Sequence, residues 1–268
     1  MIKLFEQYNE YRQVKEWLDR MEIFNYTIND DLTVDVDNDV IIKNYKLTEI
    51  PIQFGKVTGD FRCDDNSITS LKGCPSEVFG NFTCKGNNLT SLEHSPIYVG
   101  MEYNCNRNKL ITLKGCPDKI IEDFFCMYNE LTTLEYGPKE VNGYYGCAHN
   151  NLTTLKGIPV CINGDLNCSH NNLVTLEYGP KEMKGDFFFN NNSLISLKHI
   201  PKDIDGYVYY ADNKTLPKCI SKLDKLDKIK ILLKYQDEYG VWNSDYSLNM
   251  NRYNLLLNDY ENGVFNND

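Results

Sequence analysis

Apolar and polar positions recur along most of the chain with a period of 21 residues and no insertions. One apolar column holds Leu47, Ile68, Leu89, Leu110, Leu131, Leu152, Leu173 and Leu194; three residues later come Ile50, Leu71, Leu92, Leu113, Leu134, Leu155, Leu176 and Leu197. Pro75, Pro96, Pro117, Pro138, Pro159, Pro180 and Pro201 form a third column, and Asn66, Asn87, Asn108, Asn129, Asn150, Asn171, Asn192 and Asn213 a fourth. Between Pro and Asn, the residues Phe61, Phe82, Tyr103, Phe124, Tyr145, Leu166, Phe187 and Val208 stand two before Cys63, Cys84, Cys105, Cys126, Cys147, Cys168, Phe189 and Tyr210. This alternation predicts a strand with one buried face. Stacked rungs would pair such strands in parallel about 4.8 Å apart, giving an inward aromatic spine beside an inward Cys ladder. An Asn amide both donates and accepts, so the Asn column can satisfy peptide groups of the turns between neighbouring rungs.

The ends depart from the repeat. Val36, Val40, Ile42 and Leu47 keep the register of a first rung, with Tyr45 in the Asn place. Before them Leu4, Tyr8, Tyr11, Val14, Trp17, Leu18 and Met21 follow helical spacing. Beyond Asn213, Ile220, Leu223, Leu226, Ile229 and Leu233 do the same, and Trp242, Tyr253, Leu256 and Tyr260 complete a closing segment. The expected division is an N-terminal helical cap at 1–35, a solenoid at 36–216 and a C-terminal helical cap at 217–268. Open sheet edges invite association, and caps cover them.

The pattern Phe-x-Cys-x-x-Asn-x-Leu-x-x-Leu resembles the leucine-rich repeat family, in the short-period style of bacterial and bacteriophage members. The resemblance implies an α/β-type solenoid, mostly parallel β-sheet with α-helical N- and C-terminal caps. Because Pro interrupts a helix interior, the convex side is expected to be extended or a tight turn. The family likeness also implies protein binding along the concave strand face.

Composition narrows the partner. A net charge of -10 and a pI near 5.0 argue against direct nucleic-acid binding and favour a basic protein. The two alanines, Ala148 and Ala211, beside abundant Asn, Lys, Ile and Tyr suggest A·T-rich coding and a bacterial or viral source. The opening residues lack an apolar run of signal-peptide length and no membrane-spanning stretch follows, so a cytoplasmic protein with no membrane partner is expected.

Candidate chemistry reduces mostly to architecture. The Cys ladder alternates with the spine and lacks zinc spacing, so it reads as core. Cys74, Cys116, Cys161 and Cys219 follow no common pattern. His149 and His170 are equivalent in adjacent rungs, but no carboxylate or thiolate joins them on that face. The run Asp35 to Asp39 lacks the glycine of a calcium loop, and Lys46 stands where its final Glu would be. Asn-x-Thr triplets at Asn81, Asn88 and Asn151 arise from the repeat itself. No nucleophile elbow or phosphate loop is present, and residues 217–268 are too few for an added catalytic domain. No catalytic residue, metal or cofactor is expected. The alternating column Lys72, Glu93, Lys114, Glu135, Lys156, Glu177 and Lys198 reads as register control.

Outward positions between the inward columns define the candidate face. Asp60, Glu102, Asp123, Tyr144, Asp165, Asp186 and Tyr207 stand in its first column, Arg62, Phe125, Phe188 and Tyr209 in its second, and Met127 in its third. Aromatic residues and Met within an acidic border suit a protein with a basic and apolar patch. The leading expectation is a non-enzymatic binding scaffold, phage-encoded by its repeat style, that sequesters or inhibits a host protein such as a defence protein. Its rivals are an acidic nucleic-acid mimic that blocks a DNA-binding enzyme, and an enzyme with an unrecognised site in the C-terminal cap.

Overall fold

The computed structural model describes residues 2–202, 204–221, 223 and 226–265, with the side chains of 2–7, 226 and 227 left out. Leu4 and Leu226, read above as helix-stripe positions, have side chains outside the described residues. The alternating stretches form short parallel strands, nine in one sheet from Val40–Ile41 to Val208–Tyr209. Phe61 lies opposite Phe82, Phe82 opposite Tyr103 and Phe187 opposite Val208, so each partner is 21 residues away. The result is a parallel β-solenoid of about eight turns, with little helix in the repeat stretch.

The connections that follow Pro75, Pro96, Pro117, Pro138, Pro159 and Pro180 are extended and build a second ladder. Phe54–Val57, Glu77–Val78 and Tyr98–Val99 continue one sheet, while Lys119–Ile120, Glu140–Val141, Cys161–Ile162 and Glu182–Met183 form another. Its driving force is a further inward column, Val57, Val78, Val99, Ile120, Val141, Ile162 and Met183, all buried. At the start of the stack Tyr26–Ile28 pairs antiparallel with Val34–Val36 and covers the edge of this second ladder.

The spine is continuous ring contact. Centroids are 5.9 Å apart for Phe61 and Phe82, 5.1 Å for Phe82 and Tyr103, 5.7 Å for Tyr103 and Phe124, and 5.2 Å for Phe124 and Tyr145. The six ladder cysteines beside it are fully buried and free. Each middle Asn amide bridges two turns. Asn129 Nδ2 donates to Cys105 O and Cys126 O at 3.1 Å, and its Oδ1 accepts from Leu110 N at 3.1 Å.

Helix α1 (Ile2–Arg20) meets the first rungs through its last turns: Trp17 and Leu18 are buried, and Trp17 touches Phe54 at 6.2 Å. Tyr8 and Tyr11, which share its apolar spacing, are exposed, so the predicted stripe docks over part of its length only. Among the described residues three helices follow the last rung, α2 (Lys218–Ser221), α3 (Leu226–Tyr235) and α4 (Met250–Glu261). Buried Gln236 ties them to the stack, donating to Leu197 O at 3.2 Å and accepting from Trp242 Nε1 at 2.6 Å. Among the described residues no helix is long and apolar enough to cross a membrane.

A candidate partner-binding face on the long sheet

The acidic column is first of all a clamp between rungs. Oδ1 of Asp60, Asp123, Asp165 and Asp186 accepts a hydrogen bond from the main-chain N–H 21 residues on, at Asn81 (2.8 Å), Tyr144 (2.7 Å), Asp186 (2.8 Å) and Tyr207 (2.7 Å). Asp39 does the same for Asp60 at 2.8 Å, and Asn81 for Glu102 at 3.1 Å. The accepting carboxylate occupies the space where a Cβ would sit on Gly59, Gly80, Gly143, Gly185 or Gly206, which explains the recurrent Gly before this position. Where Met101 and Glu122 replace that Gly, the residue one rung earlier is Asn81 or Glu102 rather than Asp. The expectation of a freely offered acidic border therefore changes: one oxygen of each of these aspartates is committed to the fold. The run Asp35 to Asp39 belongs to the same device, with Asp35 Oδ1 accepting from Lys56 N at 2.7 Å.

Other polar residues of the face are also held internally. Glu102 accepts from Asn104 Nδ2 at 2.9 Å, and Arg62 pairs with Asp64 at 3.2 Å. Asp64 is buried, and its Oδ1 and the Arg62 Nε lack a hydrogen-bond partner.

The aromatic residues divide into two clusters. Phe125 and Tyr144 stack at 5.1 Å, Tyr144 Oη lies 4.0 Å from Met127 Sδ, and the Tyr144 ring covers Gly146, where a Cβ would collide with it. Burial raises the Tyr144 hydroxyl above its ordinary pKa. One turn of Asn167 separates this group from Phe188 and Tyr209, stacked at 4.4 Å and 4°, with Tyr207 beside them at 6.4 Å. Phe125, Met127, Tyr144 and Phe188 are half-buried, while Tyr207 and Tyr209 are exposed. All twelve residues named for this face occupy its outward columns.

At the edge of the face a stack runs through equivalent left-handed positions, Arg107, Tyr128, His149, His170 and Asn191, with φ of 53° to 56°. Arg107 lies 5.0 Å over Tyr128, Tyr128 and His149 are 4.3 Å apart, and His149 and His170 4.2 Å. The imidazole planes differ by 9°, so their in-plane nitrogen lone pairs run side by side and do not converge on one ion. Burial, and then the neighbouring His170, lowers the His149 pKa. Among the described residues no group of three or more His, Cys, Asp or Glu could hold a metal. Burial also raises the thiol pKa of Cys84, Cys105, Cys126, Cys147 and Cys168, leaving them as protonated core groups.

No protein-family model and no curated protein matches this chain. Its functional reading rests on the site geometry. Exposed apolar residues not named from the sequence include Phe79, Ile97, Tyr98 and Met101 in and beside the second ladder, with Phe79 and Tyr98 at 5.5 Å. Their only signal in the sequence is apolar residues in columns that are polar or Gly in most other rungs.

Proposed function

We propose that this chain is a non-enzymatic, leucine-rich-repeat-like scaffold that binds a protein through the outward columns of the long sheet. The observation that carries the reading is the pair of aromatic clusters on that sheet, around Phe125 and around Phe188, set among Asp and Asn side chains that the clamps hold in fixed positions. Rigid aromatic groups in a polar surround are what interface centres use, because they bring contact area at little entropic cost. A basic partner with an apolar centre suits the net charge of -10. Sequestration of a host protein, in the manner of a phage-encoded inhibitor, is the role proposed for that binding.

The test uses two variants. Phe125→Ser, Phe188→Ser and Tyr209→Ser together remove the clusters; Asp60→Asn, Asp123→Asn, Asp165→Asn and Asp186→Asn together remove charge while an amide oxygen can still accept the clamp bond. Both should keep a cooperative melt, and both should lose a partner captured by the unmodified chain from host lysate. Retention of every partner by both variants would refute the proposal. Partners released by added polyanion, but captured normally by the cluster variant, would favour nucleic-acid mimicry.

A further inference from the structure

From Gly73 to Tyr178 the turn after the second Leu column carries a pattern with twice the period of the rung. Successive turns place Gly73, His94, Gly115, Tyr136, Gly157, Tyr178 and His199 there, all with left-handed φ between 65° and 99°. The glycines are required by close approach: a Cβ on Gly115 would strike Leu92 O and Glu93 N, and one on Gly157 would strike Leu134 O and Glu135 N. The same rungs are joined by Leu92 N to Lys114 O at 2.9 Å and Leu134 N to Lys156 O at 3.0 Å. Ion pairs Lys114–Glu93 (2.7 Å) and Lys156–Glu135 (2.9 Å) lie across them. At this turn Gly and ring therefore alternate from Gly73 to Tyr178, and His199, one rung beyond Tyr178, stands where the alternation would place Gly.

Nothing local accounts for the rings. Left-handed φ disfavours residues with a Cβ, and burial offers no return, since Tyr136 is 70% and Tyr178 60% exposed. His199, which ends the row, shows what a ring at this turn can hold. There the chain's own closing segment is seated on it, with Tyr246 at 5.9 Å from His199 and Lys198 Nζ 5.2 Å from the Tyr246 ring centre. Upstream of that contact the row of exposed rings runs on through Tyr178, Tyr136 and His94.

Two rungs advance about 9.6 Å, so His94, Tyr136 and Tyr178 form a comb with that spacing. A polyproline II chain rises about 3.1 Å per residue with three residues per turn, and shows the same face every 9.3 Å or so. An extended strand shows one face about every 6.7 Å, and an α-helix shows one about every 10.5 Å over seven residues. Only the first stays in step across three rings. The neutralised Lys–Glu pairs beside the comb also suit an uncharged ligand, and proline rings pack on aromatic rings. We infer that the His94–Tyr136–Tyr178 ridge docks a proline-rich segment in the polyproline II conformation, one turn of the ligand per ring. This surface is separate from the long-sheet face and does not depend on it.

Fluorescence anisotropy of labelled decaproline titrated with the full chain tests the inference. Tetraproline, a Gly-Ser decamer and a linear glucan oligosaccharide serve as comparators. The variant is Tyr136→Gly with Tyr178→Gly, which installs the residue that neighbouring rungs already carry at this φ, and its fold is checked by circular dichroism. Decaproline should bind saturably, and tetraproline, whose first and fourth residues reach at most two of the three rings, should bind at least about tenfold more weakly because a linked contact is lost. The folded variant should lose about tenfold or more, whereas the Phe125, Phe188 and Tyr209 variant should bind as the parent chain does. Absence of saturable decaproline binding, equal binding of tetraproline, equal binding by the Gly variant, or preference for the glucan would each overturn the inference.

Discussion

Asn129 and Tyr145 lie in neighbouring rungs and stand in opposite situations. Asn129 bonds to turns on both sides, so Asn129→Ala strands Leu110 N–H and weakens the Cys105 and Cys126 carbonyls. The expected loss is about 1 to 3 kcal/mol in urea melts, against less than about 0.5 for the exposed Asn172→Ala. Equal losses would show that the amide is not what secures the turn. Tyr145 is fully buried with no partner for its hydroxyl, while the equivalent Tyr103 has Ser95 Oγ at 2.8 Å. Gly137 stands two rungs beyond Ser95 and supplies no hydroxyl. Tyr145→Phe should therefore be neutral or stabilise by about 1 kcal/mol, and Tyr103→Phe should destabilise by a similar amount. Identical melting shifts in the two variants would contradict this account.

At the scale of the element, short strands need more than their own ladder, since two residues of pairing per rung fix little. The Asp clamp supplies an additional bond per turn and explains the Gly before it. Asp123→Asn should stay within about 0.5 kcal/mol of the parent, because Asn81 already accepts from Glu102 N in the same column. Asp123→Ala should lose about 1 to 2 kcal/mol, and Gly143→Ala at least as much, since its Cβ would meet the Asp123 carboxylate and Glu122 O. Thermal melts of the three separate a hydrogen-bond role from a charge role; an Asn variant as damaged as the Ala variant would refute the clamp. The caps obey similar logic at lower density, with Trp17 closing one end of the spine and Gln236 fastening the other.

Across the whole molecule the core is a column of protonated thiols and rings. Burial raises the pKa of Cys74, Cys84, Cys105, Cys116, Cys126, Cys147 and Cys168 above the ordinary 9.0. Below that value folded and unfolded chains both keep these protons, and the contribution to stability is intact. Above it the unfolded chain releases protons that the folded chain retains, so stability should fall by about 1.4 kcal/mol per pH unit for each thiol. Urea midpoints between neutral and strongly alkaline pH should show this decline, and Cys126→Ala with Cys147→Ala should make it shallower by two protons' worth. An unchanged slope would place those thiols outside the titrating core. In native buffer Cys161, the exposed thiol, should label first, and the six ladder cysteines should label only on unfolding.

The period of 21 residues made the stack, the inward spine, the Cys ladder and the bridging Asn legible, because a one-dimensional repeat puts each residue beside its own equivalent. The outward columns were legible for the same reason, and residues such as Phe125 and Phe188 stand where alternation puts them. Contacts between unlike columns were not. That Asp123 would give an oxygen to Tyr144 N, that Tyr144 would turn over Gly146, and that Gly115 would nest against Leu92 all depend on where the backbone of the next rung lies. The extent of docking of α1 was likewise hidden, since apolar spacing places Tyr8 and Trp17 on one stripe but only the tertiary structure decides how much of that stripe reaches the first rung. Periodicity fixes which residues are neighbours along the stack; the direction of each side chain, and whether its polar atoms are spent on the fold or left for a partner, is decided by close packing and hydrogen-bond satisfaction in three dimensions.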